Sequence, residues 1–147
     1  MTFRQVDISK KPIVYREATA SGRIRLNPAT VELIRKGALE KGDPLAIAST
    51  AAILAVKSTS SIIALAHPLK VEKTEPIVKL GKDGVEVTVT VAAHEKTGVE
   101  MEALTAVSVA LLNIWDVVTA HEKDSGGQYP LTRIESIRVT AKVKRSP

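Results

Sequence analysis

The chain contains no cysteine, and only 3% of its residues are aromatic. Without thiols there is no disulfide framework, no zinc ribbon and no cysteine nucleophile. Readers of single-stranded nucleic acid stack bases on aromatic side chains. Phe3, Tyr15, Trp115 and Tyr129 are too few and too scattered for such a platform. Aliphatic residues and alanine must therefore fill the core. Also missing is any run of about 18 uninterrupted apolar residues, and the opening Met-Thr-Phe-Arg-Gln-Val-Asp has no signal-peptide core. The expectation is a cytoplasmic protein with no membrane partner.

What is present suits one domain: 147 residues, 44% hydrophobic and 25% charged. The formal net charge of +5 and a pI near 9.6 fit a nucleic-acid partner, a small polyphosphate ligand, or solubility alone. Composition does not choose among these.

Residues 1–12 read as an extended arm. Residues 13–26 are rich in strand formers with partial alternation, so an irregular strand is expected, bulged at Gly22. Asn27-Pro28 and Asp43-Pro44 are helix starts, an N-cap residue followed by proline at the first helical position. The first helix should run to about Glu40, burying Val31, Ile34 and Ala38. The second, roughly 44–57, is small and apolar on nearly every face. It should be buried on several sides and broken by Ser58-Thr59-Ser60-Ser61. Val85, Val87, Val89 and Val91 alternate with polar residues and, across the turn Gly81–Gly84, pair with residues 70–80 as a hairpin. Pro76 pushes that partner toward a sheet edge. A long helix spans about Val99 to Glu122 or Lys123, apolar on almost every face from Glu102 to Thr119. Such a helix must be enclosed, by its own sheet on one side and by a second subunit on another. Residues 131–145 are a final strand. The β-α-β-β-α-β order predicts an α+β fold, a ferredoxin-like sandwich with an antiparallel sheet and helices packed on one face.

Some polar residues stand out from these surroundings. Lys41 precedes a helix N-terminus, a place that attracts anions, although a solvated loop lysine explains it as well. His67 is fixed by Pro68 in an apolar setting; it is either a general acid, base or phosphate contact, or a structural histidine. Glu100 and Glu102 open the long helix, where acids favour the dipole and capping alone would explain them. Asp116 lies between Trp115 and Val117, and a carboxylate there calls for a cationic partner or a perturbed pKa. Glu102 and Asp116 are fourteen residues apart, roughly 21 Å on a continuous helix. If both serve one site, two subunits must build it. The last strand carries Arg133, Arg138, Lys142, Lys144 and Arg145. Arg138, Lys142 and Lys144 should share one face, either a phosphate or nucleic-acid surface or a charged edge that resists aggregation.

Three stretches, Leu65-Ala66-His67-Pro68-Leu69, Lys96-Thr97-Gly98-Val99-Glu100-Met101-Glu102-Ala103-Leu104-Thr105-Ala106 and Ile114-Trp115-Asp116, resemble the cyclic pyranopterin monophosphate synthases, the molybdenum cofactor biosynthesis protein C family. Lys41-Gly42-Asp43, Val6-Asp7-Ile8-Ser9 and Arg16-Glu17-Ala18 match as well, so the resemblance covers nearly the whole chain. It implies a lyase that converts 3′,8-cyclo-7,8-dihydroguanosine 5′-triphosphate to cyclic pyranopterin monophosphate and releases pyrophosphate, with no cofactor and no metal site. It implies a ferredoxin-like single catalytic domain in a homohexamer, a trimer of dimers with sites at subunit interfaces. It assigns catalysis to Asp116, Lys41 and His67, and substrate contacts to Leu65, Ala66, His67, Met101 and Glu102. Glu100, Lys123 and Arg16 are further candidates. Two positions depart from the family: Ala66 stands where a cysteine is usual, and Thr119 stands where a catalytic lysine is usual. Either Lys123, one turn further on, replaces that cation, or activity is reduced, or the residue was changed. The rival to the enzyme is a basic nucleic-acid-binding oligomer using the last strand, which would bind with a steep salt dependence.

Overall fold

The computed structural model describes residues 2–146; Met1 and Pro147 lie outside the described residues. The elements are β1 (Val14–Arg25), α1 (Pro28–Lys36), α2 (Pro44–Ile62), β2 (Lys73–Leu80), β3 (Gly84–Glu95), α3 (Glu100–Glu122) and β4 (Arg133–Arg145). The strands form one sheet in the order β2-β3-β1-β4, with every neighbouring pair antiparallel. This is the α+β, ferredoxin-like sandwich expected from the sequence, with α1 as an extra short helix before α2. Pro76 lies in β2, an edge strand, where its missing N–H costs no ladder bond on the open side.

The core lies between one sheet face and α3. Ala18, Ala20 and Ile24 of β1 and Val85, Val87, Val89 and Val91 of β3 are buried against Ala103, Ala106, Val107, Ala110 and Leu111 of α3. Alanines and valines keep the layers close, as a chain poor in aromatics requires. Although α2 and α3 are each long and apolar enough to span a bilayer by length and composition, α3 is here covered by the sheet on one side and by α2 on another. Its buried face is the reason for its apolarity.

Several local expectations are corrected. α1 ends at Lys36 because Gly37 turns left-handed (φ 66°), and Gly37 and Ala38 donate their N–H groups back to Ile34 and Leu33. Ala38 is consequently exposed, and Leu39 is buried in its place. α2 runs through the Ser/Thr cluster to Ile62, since Thr59 Oγ1 bonds the Ala55 carbonyl instead of competing for other backbone. Only one face of α2 is buried; Leu54 is 57% and Ile62 59% exposed. Asn27 makes no side-chain cap; its own N–H instead donates to the Glu122 carboxylate.

The bulge at Gly22 lies on the other strand. Gly22 pairs in regular register with Val87 of β3, but on the β4 side it stands alone opposite Ser136 and Ile137, and Ser136 takes φ 61°. A second shift leaves Thr140 unpaired. Each extra residue reverses the alternation, so Arg138 does not share a face with Lys142 and Lys144. Arg138 opposes Ser21 on the sheet's outer face, while Lys142 opposes Ala18 and Lys144 opposes Arg16 on the helix side.

Gly84 opens β3 at φ 155°, and a β-carbon there would collide with the Ile24 carbonyl oxygen of β1. A β-carbon on Gly37, also at positive φ, would meet open space. Gly84→Ala should therefore cost more than about 2 kcal/mol of stability and Gly37→Ala about 1 kcal/mol, as read from chemical denaturation. Equal costs would show that the Ile24 carbonyl moves aside freely.

Candidate active site

The motif residues fall into two groups at opposite ends of α3. The first group surrounds the helix's N-terminus. The Glu100 carboxylate folds over Gly98, on the position a β-carbon would take. Glu100 turns toward β4 and pairs with Lys142, Nζ to Oε2 at 3.3 Å, so it does not line the adjoining cavity. Lys142 was read from sequence as part of a solvated edge; the shift at Thr140 is what brings it round to Glu100.

Glu102 points the other way. It is 3% exposed and lines a cavity of about 480 Å³ together with Arg4, Lys11, Leu65, Ala66, His67 and Met101. Among the described residues no cation pairs with it. Burial raises the Glu102 carboxyl above the ordinary glutamate value, and the charge of Glu100 adds to the rise against an opposing bond from its own backbone N–H. A carboxyl held toward its neutral form is suited to donating a proton.

The N-terminal arm builds the cavity's outer wall. Gln5 Nε2 donates to the Leu65 and Ala66 carbonyls, each at 3.2 Å. His67 Nε2 lies 2.8 Å from the Val6 carbonyl, which can only accept. That nitrogen therefore carries the proton, and in the neutral ring Nδ1 is the free acceptor. The Ala66 N–H is already donated to Ile63, so contacts from Ala66 must come from its methyl group or its carbonyl. Arg4 and Lys11 were missed as cavity residues because an arm without periodicity gives no sign of what it folds against.

Arg16 projects from β1 toward the helix layer and is 7% exposed. Its Nη2 donates to the Lys96 carbonyl at 3.3 Å, while Nε is buried with no partner among the described residues. A guanidinium with an idle buried N–H is poised for an anion.

The second group is Lys41, Asp116 and Thr119. Gly42 (φ 114°) turns the chain into α2, whose first N–H groups are capped when Asp43 accepts from Leu45. Lys41, just before this turn, reaches across to α3. Its Nζ donates to the Asp116 carbonyl at 2.7 Å and lies 3.5 Å from Asp116 Oδ1. Thr119 Oγ1 donates to the same carbonyl at 3.2 Å. The expected cationic partner of Asp116 is present, but the enclosure is not: its side chain is 78% exposed. Adjacent helix residues point about 100° apart, so Trp115 and Val117 say little about the direction of Asp116. Trp115 turns to meet Tyr129 edge-on at 5.0 Å. Lys123 caps the end of α3 through its backbone and forms no ion pair with Asp116. The cation at Asp116 comes from Lys41.

α3 is continuous from Glu100 to Glu122, so the carboxylates of Glu102 and Asp116 stay roughly 21 Å apart along its axis. The same helix leaves Met101 and Leu112 exposed, 41% and 57%, between the two groups.

A family model described as the MoaC family matches residues 5–144. The chain is 54% identical over 141 residues to a protein of Pyrococcus abyssi (strain GE5 / Orsay) named probable cyclic pyranopterin monophosphate synthase, covering 96% of this chain and 89% of that one. A protein of the same name from Sulfurisphaera tokodaii is 53% identical over 139 residues, covering 95% of this chain and 92% of the relative. One from Methanococcoides burtonii is 53% identical over 141 residues, covering 96% and 89%.

The raised Glu102 pKa has a definite sign. The folded chain holds this proton more tightly than the unfolded one, so its contribution to stability is full below the ordinary glutamate value of 4.5 and is lost as pH rises through the higher folded value. Glu102→Gln should therefore melt above the parent protein at neutral pH, with the gap closing toward pH 4. Thermal unfolding across that range tests it; a gap independent of pH would mean that Glu102 is not perturbed.

Proposed function

This chain belongs to the MoaC family, and from that premise we propose that it is a cyclic pyranopterin monophosphate synthase, a lyase of molybdenum cofactor biosynthesis. The substrate we assign is 3′,8-cyclo-7,8-dihydroguanosine 5′-triphosphate, and the products are cyclic pyranopterin monophosphate and pyrophosphate. One observation carries the reading: the Glu102 carboxyl, buried with no ion-pair partner among the described residues and raised in pKa, lines a cavity shared with His67.

The chemistry has two demands. Rebuilding the guanine-derived ring moves protons, which suits the buried Glu102 carboxyl, raised above its ordinary value, and the Nδ1 of His67. Closing the cyclic phosphate requires a hydroxyl oxygen to attack the α-phosphorus while the bond to the β-phosphate oxygen breaks. The hydroxyl proton needs an acceptor and the departing pyrophosphate needs cations. Asp116 is the acceptor in this account and Lys41 the nearest cation, with Arg16 available where an anion reaches its Nε. Thr119 supplies no charge, so of the two lysines that the family resemblance implies, Lys41 is the one beside Asp116.

We place the reaction in a homo-oligomer, a hexamer assembled as a trimer of dimers. Each site would take His67, Met101 and Glu102 from one subunit and Lys41 and Asp116 from its neighbour. The separation along α3 supports this, as do Met101, Leu112 and Leu54, which one chain leaves uncovered. A nucleic-acid surface on β4 is less well supported. Arg133 is committed to Glu135, whose carboxyl it holds, together with Arg23 and Arg25, down to about 2, and Lys142 is committed to Glu100.

The test is pyrophosphate release from the cyclised substrate. The parent chain should release it, and Asp116→Asn or Lys41→Ala should lose about 100-fold or more in kcat. Release by Thr119→Lys but not by the parent would keep the family assignment and mark this chain as impaired. Release by neither would overturn the function.

A further inference from the structure

Glu122 takes no part in the chemistry above, yet it is 2% exposed. It is the last residue of α3, the end of a helix dipole that disfavours negative charge. Burial disfavours that charge too, and among the described residues no cation pairs with it. What holds it is a set of neutral donors from two other segments. Its oxygens accept the Asn27 backbone N–H at 3.1 and 3.2 Å, the Thr30 hydroxyl, and the Thr132 hydroxyl at 2.7 Å. Asn27 and Thr30 form the start of α1, where the helix dipole is positive, so α1 compensates the charge that α3 repels.

The consequence lies at the other end of α1. This helix is nine residues long and buries only Thr30, Val31 and Ile34. It then passes through Gly37 and the buried Leu39 to Lys41, whose ammonium sits on Asp116. The segment from Asn27 to Lys41 is therefore tied to the last turns of α3 at two points, Glu122 and Asp116, which lie about 9 Å apart along the helix. With the first tie fixed, the length and direction of α1 decide where the second falls. Asn27, which does not cap with its side chain, cannot replace that tie.

We propose that Glu122 is a positioning residue for Lys41: its buried carboxylate anchors the start of α1 to the end of α3, so that the loop leaving α1 delivers the Lys41 ammonium to Asp116. Its effect on catalysis rests on the function proposed above; its effect on Lys41 does not. Glu122 touches no substrate in this role.

Two measurements on the intact oligomer separate these. The first is the rate of reductive methylation of Lys41, followed by mass spectrometry, with Lys79 of β2 as the internal reference. Glu122→Ala should raise Lys41 labelling above the parent rate, at least as far as Asp116→Ala, which keeps the backbone carbonyl bond, and leave Lys79 unchanged. Thr30→Val, which removes one anchoring bond with little change of volume, should move it in the same direction, and keeps the test open if Glu122→Ala does not fold. Glu122→Gln should stay near the parent rate, because its oxygen can accept and its amide can donate to the Thr30 hydroxyl.

The second is pyrophosphate release. Glu122→Ala should lower kcat about tenfold with KM within about twofold, Glu122→Gln should recover most of it, and in a Lys41→Ala background Glu122→Ala should cost nothing further. Unchanged Lys41 labelling in Thr30→Val and in any folded Glu122→Ala overturns the proposal, as does an equal loss of kcat with and without Lys41. If neither the parent chain nor Thr119→Lys releases pyrophosphate, the functional reading fails, and the labelling rates still decide the role of Glu122.

Discussion

The unbroken length of α3 is the constraint from which the rest follows. It carries Glu102 at its first turn and Asp116 four turns later, and no proline, glycine or bulge lets it bend back. One substrate cannot meet both carboxylates of one chain. Everything that one chain does complete is local to one end: a cavity at the N-terminus with a buried acid, and an exposed ion pair near the C-terminus. The first end is walled by the arm, the 65–69 loop and the Thr97-Gly98 turn into α3. The second depends on α1 and its loop, which arrive from the far side of β1.

The two ends differ in electrostatics in a way that suits different steps. Glu102 is buried, and that burial makes its carboxyl resist ionisation. Asp116 is open to solvent and sits beside an ammonium group. An exposed ion pair of this kind contributes little to stability, so its geometry is better explained by what a ligand would gain from it. A second chain closing over Leu112 and Met101 would remove water from this pair and strengthen its field.

Much of the fold was legible because its signals are strong. The valine alternation of β3, the Asn-Pro and Asp-Pro starts and the length of α3 are read directly from residue type and period. Misreadings arose where one residue's conformation outweighed the pattern. Gly37 ended α1 early, and the Thr59 hydroxyl satisfied itself along α2. Bulges at Ser136 and Thr140 reversed the faces of β4, which is why Lys142, still exposed on an edge strand, parts from Arg138 and reaches Glu100. The site was legible as residues but not as geometry. Sequence placed Asp116 among apolar neighbours but not in the open, where it stands beside Leu112, Trp115 and Ile134, and gave no hint that Gln5 and Val6 would strap the arm over His67. Nor could it show that a glutamate at the end of α3 would hold the start of α1, since such a contact joins residues 95 positions apart.

The central claim is that one site needs two chains, and mixing defective chains tests it most directly. Glu102→Ala and Asp116→Asn oligomers, each inactive alone, would be unfolded together and reassembled in equal amounts. If each site draws Glu102 from one subunit and Asp116 from another, roughly a quarter of the sites in the mixture regain both residues, and pyrophosphate release should return to about that fraction of the parent rate. A mixture as inactive as its components, with hybrid oligomers demonstrably formed, would contradict the account.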